Sequence, residues 1–138
     1  HCGDFISPFM LKELDKASIP VHGVFGNNDG DHFSATQMSL AESNNIKLHG
    51  IKGEIEINGI SICFTHYKDI AEGLAATNKY NVVCFGHTHK FYKSKVGETL
   101  LLNPGEVMGK DGSPGFCIMN TESFDIERIE LPPHPEHK

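Results

Sequence analysis

Short apolar runs that end abruptly in glycine- or histidine-bearing polar segments constrain the fold of this chain more than any other feature. The run "VHGVF" leads into "GNND", "ISICF" leads into "THY", and "NVVCF" leads into "GHTH". The opening "HCGDF" reads in the same way, as the end of a buried strand followed by Gly-Asp. Short apolar runs bounded by turn signals are typical of buried strands. Because ligands gather at the carboxyl ends of strands in α/β sheets, the pattern predicts an α/β fold with its site at one sheet edge.

Two helical segments lie on either side of the predicted strand that contains "VHGVF". A helix is predicted over residues 7–17, with Ser7 as its cap and Pro8 in its first turn. A short strand is predicted over residues 21–25, and a second helix over residues 33–44. The order strand, helix, strand is typical of a parallel α/β unit.

The pattern changes after residue 46. The segment "GEIEINGISICF" alternates apolar and polar residues around Asn-Gly, which predicts a hairpin. A helix is predicted over residues 69–77, and "FYKSKV" with "TLLLNPG" and "GFCIMN" with "SFDIERIEL" form two further predicted hairpins. The chain therefore begins as parallel α/β and ends as mostly antiparallel β, which fits two sheets with helices outside.

Size, charge and cysteine usage limit the function classes. The 138 residues predict one domain spanning residues 1–138. The net charge of -6 argues against sequence-independent nucleic-acid binding, which needs a basic face. The four cysteines form no C-x-x-C pair, so we expect free buried thiols in a reducing, cytoplasmic compartment, with disulfides as the second interpretation. No apolar run approaches the ~18 residues that a membrane span needs.

The polar segments carry residue types that suit metal ions. Asp4 offers a carboxylate that can bridge two ions, and "GNND" offers an amide oxygen. His66 follows a strand directly, while His87 and His89 would point the same way if the chain stayed extended. Each motif alone is more often a turn, a cap or a satisfied polar residue, and only the ordered combination favours a metal site. The remaining histidines, such as His22 and His49, are interpreted as structural.

This ordered set resembles the calcineurin-like metallophosphoesterases, and most of all their small bacterial and archaeal phosphodiesterase branch. That branch also has "HCGD" before a helix, "GHTHK" after a strand and a late "NPG", which here reads "NPGE". The resemblance covers nearly the whole chain. It implies a four-layer α/β/β/α metallophosphoesterase sandwich with a dinuclear metal site between loops at one end. The metal ligands that it implies are Asp4, Asn27, His66, His87 and His89.

The resemblance also implies a role for each ligand. Asp4 would bridge the two ions, Asn27, His66 and His87 would complete one site, and His89 would belong to the other. The family supplies that other site with a D-x-H motif after its first strand, and none precedes Asp4 here. We therefore expect the N-terminal strand-helix unit to be missing and the activity to be weakened or lost.

Besides the missing D-x-H motif, the chain differs from the family pattern at Asn28. The resemblance places Asn28 with Asp4, His66 and His87 among the catalytic residues. Many relatives carry a histidine at that position, which contacts phosphate and can protonate the leaving group. Asn28 can donate a hydrogen bond but cannot act as a general acid near neutral pH. Activated aryl diesters are therefore the expected best substrates.

The implied function is divalent-metal-dependent hydrolysis of phosphodiesters through metal-activated water. Mn²⁺ fits the mixed nitrogen and oxygen ligands best, with Fe, Zn, Ni or Co as alternatives. A non-catalytic protein-interaction scaffold of the same fold, like the retromer subunit, is the main alternative, and a purely structural metal site is the third. The expected partners are a small phosphodiester substrate and, in a homo-oligomer, a second copy of the chain. No membrane contact and no stable nucleic-acid complex are expected.

Overall fold

The structure, a computed structural model, describes residues 1–41 and 45–132, and in those residues it has an α/β architecture. The helices are α1 (Pro8–Asp15), α2 (His32–Ser39) and α3 (Lys68–Ala76). The strands are β1 (Val21–Gly23), β2 (Ile46–Leu48), β3 (Lys52–Ile57), β4 (Ile60–Thr65), β5 (Val82–Cys84), β6 (Phe91–Val96), β7 (Thr99–Pro104), β8 (Gly115–Met119) and β9 (Ile126–Glu130).

The first unit runs α1, β1, α2, β2, and its two strands pair in parallel, as the sequence predicts. The Ser7 side chain caps α1 by accepting a hydrogen bond from the Phe9 backbone N–H, and Asp31 caps α2. Both helices pack against β2. Their shared core contains the buried side chains of Phe5, Leu11, Ala35 and Ile46.

The second unit is a five-stranded sheet in the order β3-β4-β5-β7-β6. The predicted hairpin around Asn58-Gly59 forms β3 and β4, and both turn residues have positive φ, as a tight hairpin turn requires. The hairpin of β6 and β7 is also antiparallel. The central strands β4, β5 and β7 are parallel, however, so the sheet is mixed rather than mostly antiparallel. Their carboxyl ends meet at one edge of the sheet.

Helix α3 covers one face of this sheet. Ala71 and Ala75 of α3 are fully buried and pack with Val83, Phe85 and Leu101. Small residues on the helix let it approach the sheet closely. Strands β8 and β9 form a separate antiparallel pair, and β8 contacts β7. The predicted α/β fold, with helices packed on a central sheet, is confirmed. The described strands form three sheets rather than the predicted two, because β1 with β2 and β8 with β9 pair separately from the five-stranded sheet.

Several element bounds differ from the sequence prediction. Strand β1 stops at Gly23, because the chain then turns into the loop that carries "GNND". Helix α2 ends at Ser39, and residues 42–44 of its predicted range lie outside the described residues, as does the tail from residue 133. Residues 1–6 form no strand.

The state of the cysteines was also predicted from the sequence. All four cysteines are free, as the sequence predicts, but only Cys63 is buried, and the other three are half-buried. Burial raises the pKa of the Cys2 and Cys84 thiols, so both remain neutral.

None of the helices in residues 1–41 and 45–132 has the length and hydrophobicity needed to cross a membrane.

Candidate metal centre

Four loops bring the candidate residues to one end of the molecule. His66 follows β4 directly, and the "GHTH" segment begins two residues after β5. Asn27 lies in the loop after β1, and Asp4 precedes α1. Because these loops leave neighbouring strands and helices at a common edge, side chains far apart in sequence come within hydrogen-bonding distance.

Three atoms from three of these loops form a close triangle. The Asn27 amide oxygen Oδ1 lies 2.9 Å from His66 Nε2 and 2.9 Å from His87 Nδ1. The two imidazole nitrogens are 3.2 Å apart. This triangle is the centre of the candidate site.

The protonation pattern makes the triangle rich in lone pairs. His66 is almost completely buried, and its Nδ1 lies 2.7 Å from the Cys2 backbone carbonyl, which can only accept a hydrogen bond. Nδ1 must therefore carry the proton, and in the neutral ring Nε2 presents a lone pair to the Asn27 oxygen. A single proton on His87 Nδ1 can satisfy only one of its two neighbours. The Asn27 oxygen Oδ1 and the His66 nitrogen Nε2 are then two hydrogen-bond acceptors 2.9 Å apart with no proton between them.

Asp4 lies beside this triangle and is held by Asn28. The Asp4 carboxylate accepts a hydrogen bond at each oxygen, from the Asn28 backbone N–H and from its side-chain amide, both at 2.9 Å. Asp4 Oδ2 is 3.6 Å from His66 Nε2. The side chain of Asn28 therefore positions Asp4 in this structure, a contact that the sequence does not predict.

Glycines permit this close packing. A Cβ atom at Gly26 would lie 2.7 Å from the Asp4 backbone nitrogen and 2.8 Å from the His66 ring. A Cβ at Gly3 would lie 2.7 Å from His66 Nδ1. Real Cβ atoms do not approach so closely, so the two Gly-led motifs are needed for the loops to meet.

His89 is separated from the triangle in its contacts. Its Nδ1 lies 2.6 Å from Asp111 Oδ2 instead. The extended conformation assumed for "GHTH" is wrong, because His87 and His89 have φ values of 63° and 58°. The two rings therefore do not project from one face of a strand.

Asp4 also has a positive φ, at 61°. Left-handed conformations cost non-glycine residues about 1–2 kcal/mol each and cluster at functional sites. Three of the five predicted metal ligands thus adopt this conformation, and five other non-glycine residues of the described chain share it: Ile6, Ser18, Asn58, Asn78 and Phe124. The conformation by itself therefore does not distinguish the site.

The sequence did not predict the roles of two residues that position the loops, Asp29 and Asn103. The Asp29 carboxylate accepts from the backbone N–H groups of Asp4, Ile6 and Gly26 at 2.7–3.0 Å. Fully buried Asn103 donates from Nδ2 to the carbonyl of Gly86 and the hydroxyl of Thr88. The only sequence signals were their places in "GNND" and "NPG", because both act through contacts between distant segments.

The donor set suits a divalent cation. Two ligand atoms that are each about 2.1 Å from one ion and at right angles to each other are about 3 Å apart, close to the triangle's edges. In the described part of the chain, no three His, Cys, Asp or Glu side chains are arranged to hold a metal by themselves. The arrangement here depends on the Asn27 amide oxygen, so the residues fit an ion with mixed nitrogen and oxygen ligands.

Two small cavities of the described residues lie away from this cluster. One small cavity lies between α1, α2 and β2, and a second lies beneath the start of α1. Neither cavity is lined by Asp4, Asn27, His66 or His87. Both cavities are lined by residues of α1 and α2.

Comparison with known proteins agrees with this fold and identifies the family. A model of the calcineurin-like phosphoesterase superfamily domain matches residues 1–123. The phosphodiesterase MJ0936 of Methanocaldococcus jannaschii is 32% identical over 133 residues, which cover 95% of this chain and 80% of that protein. A solved archaeal phosphodiesterase superposes with a TM-score of 0.85 at 31% identity, covering 95% of this chain and 81% of its own.

A vacuolar protein sorting 29 structure from Cryptosporidium parvum has a TM-score of 0.65 at 18% identity, covering 94% of this chain and 78% of its own. That likeness shows the fold alone. The chain belongs to the calcineurin-like phosphoesterase superfamily, a class of phosphoesterases that use divalent metals. Within it, the chain is similar to the archaeal phosphodiesterases at about one third identity over nearly its whole length.

Proposed function

We propose that this protein hydrolyses phosphodiesters, with weakened activity, by means of two divalent metal ions held at the loop cluster. The supporting observation is the triangle of Asn27 Oδ1, His66 Nε2 and His87 Nδ1. The three atoms are within hydrogen-bonding distance of one another, but they carry too few protons for every contact to be a hydrogen bond. The similarity to archaeal phosphodiesterases supports a diester as the substrate. We also propose that residues 1–138 form one domain.

The chain's own residues would divide the work between binding and positioning. Asn27, His66 and His87 would hold one ion, Asp4 would contribute a carboxylate to both, and His89 would serve the second. Bound ions would neutralise charge on the phosphate oxygens and lower the pKa of a nearby water. The Cys2 carbonyl keeps the proton on His66 Nδ1, so Nε2 stays available as a ligand.

Asn28 limits how the leaving group can depart. Its amide donates to Asp4 and has no proton to give near neutral pH. A leaving group that is a stable anion, such as a nitrophenolate, needs no proton. We therefore propose that Asn28 takes part in catalysis by orienting Asp4, and that aryl diesters react faster than alkyl diesters.

Mn²⁺ is the proposed ion, because the ligands mix imidazole with carboxylate and amide oxygens. Fe, Zn, Ni and Co are the alternatives for the same ligand set. The free cysteines agree with a reducing compartment, and we propose the cytoplasm as the location. A homo-oligomer is a further proposal, based on the exposed edge strands β3 and β6.

The decisive experiment measures hydrolysis of bis(4-nitrophenyl) phosphate by metal-free protein to which Mn²⁺, Zn²⁺, Ni²⁺ or Co²⁺ is added singly. We expect activity that depends on added metal and falls at least ~100-fold in His87→Ala, because that change removes a ligand. His32→Ala, which changes a histidine of α2 outside the cluster, is the control and should keep activity.

The same experiment separates the alternatives. Tight metal binding without turnover of any diester would favour a structural metal site. Absence of both metal binding and turnover would contradict the proposal and favour an interaction scaffold. Turnover that survives His87→Ala unchanged would place the chemistry elsewhere.

A further inference from the structure

The loop between β7 and β8 is built around one buried carboxylate. Glu106 is only 8% exposed, and its carboxylate accepts hydrogen bonds from three successive backbone N–H groups. The donors are Lys110 at 3.1 Å, Asp111 at 2.6 Å and Gly112 at 3.1 Å. The Glu106 carbonyl also accepts from the Gly115 N–H at 2.7 Å. These bonds close residues 106–115 into a defined turn.

Arg128 of β9 anchors the outer end of this loop. Its guanidinium donates to the Ser113 carbonyl at 2.7 Å and lies over the Phe91 ring, 5.5 Å from the centroid. The loop is therefore fixed from inside by Glu106 and from outside by Arg128. An arrangement that fixes the backbone on both sides of Asp111 also limits where its carboxylate can reach.

The Asp111 carboxylate meets His89. Its Oδ2 lies 2.6 Å from His89 Nδ1, and the His89 side chain is 23% exposed. A carboxylate can only accept, so Nδ1 carries the proton, and in the neutral ring the lone pair is on Nε2. On the other side, Asn103 holds the hydroxyl of Thr88, the residue between the two histidines. Both ends of the contact are thus supported by buried polar groups.

We propose that Asp111 is a positioning residue for His89, fixing its tautomer so that Nε2 is presented as the ligand for the second divalent ion. The proposal rests on the proposed function, because it gives His89 a metal to bind. Carboxylates that hold the distal nitrogen of a ligating histidine orient the ring and raise its basicity. An isolated exposed ion pair would have neither the Glu106-built turn nor the Asn103 contact behind it.

The test combines a spectrum of the metal-free protein with metal titration. In ¹⁵N-labelled protein, imidazole correlations should show His89 with its proton on Nδ1, and Asp111→Ala should shift it toward the Nε2–H tautomer. Titration of the same proteins with Mn²⁺ should show one ion binding about 10- to 100-fold more weakly in Asp111→Ala, with the other ion unchanged. Asp111→Asn keeps an accepting oxygen and should retain the tautomer with a smaller loss.

A matched control is Asp125→Ala, which removes an exposed aspartate that contacts Ser123 far along the chain. It should leave both the His89 tautomer and Mn²⁺ binding unchanged. An unchanged His89 tautomer in Asp111→Ala, or Mn²⁺ affinities in Asp111→Ala equal to those of wild type, would overturn the positioning role. Wild-type protein that binds no divalent ion, or only one ion whose affinity Asp111→Ala leaves unchanged, would instead overturn the two-ion function and with it the metal-directed role of Asp111, even with the tautomer shift present.

Discussion

Asp29 holds Asp4 in place: its carboxylate oxygen Oδ2 accepts a hydrogen bond from the Asp4 backbone N–H at 3.0 Å. The same oxygen accepts from the Gly26 N–H at 2.7 Å, and Oδ1 accepts from the Ile6 N–H at 2.9 Å. One side chain therefore ties the loop after β1 to the loop before α1. Because Asp4 has a left-handed backbone conformation, this support maintains a geometry that the chain alone would disfavour.

Removing this support should damage both stability and the site. In Asp29→Ala, three N–H groups lose their acceptor, and we expect the free energy of unfolding to fall by on the order of 2–3 kcal/mol. Mn²⁺ binding should weaken as well, because Asp4 is released. Urea unfolding and metal titration on the same protein measure the two effects.

Asp31→Ala provides the comparison for that experiment. Asp31 caps α2 by accepting from the Ser34 N–H at 3.0 Å, and it makes no contact with Asp4. Losing the cap should cost about 1 kcal/mol and leave Mn²⁺ affinity unchanged. Equal Mn²⁺ affinities in Asp29→Ala and wild type would show that Asp29 does not position the site.

Local sequence signals predicted the elements and the motif positions, but not the contacts between them. The Asn58-Gly59 turn fixed its hairpin, and Ser7 fixed the start of α1, because both act on neighbouring residues. The pairing of His89 with Asp111 joins residues 22 positions apart and depends on a turn organised by Glu106. No local pattern encodes such a contact, since "NPGE" gives no sign of which backbone groups its glutamate will bind.

Gly26 offers a steric test of the same loop contact. An added Cβ would meet the Asp4 carboxylate and lie 2.7 Å from the Asp4 backbone nitrogen. Because one neighbour is backbone, it cannot simply rotate away, and we expect Gly26→Ala to cost about 1–3 kcal/mol of stability and to displace Asp4. Thermal unfolding and Mn²⁺ titration report the two changes.

Gly30→Ala is the matched control, since an added Cβ at Gly30 would meet no atom within 4 Å other than those of Gly30 and its two chain neighbours. It lies four residues farther along the same loop and should leave both stability and Mn²⁺ affinity close to wild type. If Gly26→Ala behaved like Gly30→Ala, the close approach of the two loops would not be needed for the site.

Asn28 sets the expected leaving-group preference, which substitution can change. Asn28→His introduces an imidazole that can donate a proton near neutral pH, while its backbone N–H can still hold Asp4 Oδ1. We expect the rate on an alkyl diester, relative to the rate on an aryl diester, to rise about tenfold or more. Asn28→Ala removes the side-chain donor to Asp4 without adding an acid, so both rates should fall together. A ratio unaffected by Asn28→His would argue against a role for this position in leaving-group departure.

His22 and His49 form a pair that should make stability depend on pH. His22 Nδ1 lies 2.9 Å from His49 Nε2, so only one of the facing atoms can carry a proton. Burial, followed by the nearby Lys47 charge for His22 and by His22 itself for His49, lowers the pKa of both rings below their usual value.

The unfolded chain therefore binds more protons than the folded protein just below the ordinary histidine pKa of about 6.5. The stability that this pair contributes should be complete above about pH 6.5 and should be lost as the pH falls through the lowered folded values. His49→Phe keeps a ring against Phe64, 5.3 Å away in wild type, and removes the pair. Urea unfolding between about pH 7.5 and pH 5 should show a shallower loss of stability in His49→Phe than in wild type or in His32→Phe. Parallel pH profiles for all three proteins would mean that carboxylates, rather than this pair, govern the acid sensitivity of the fold.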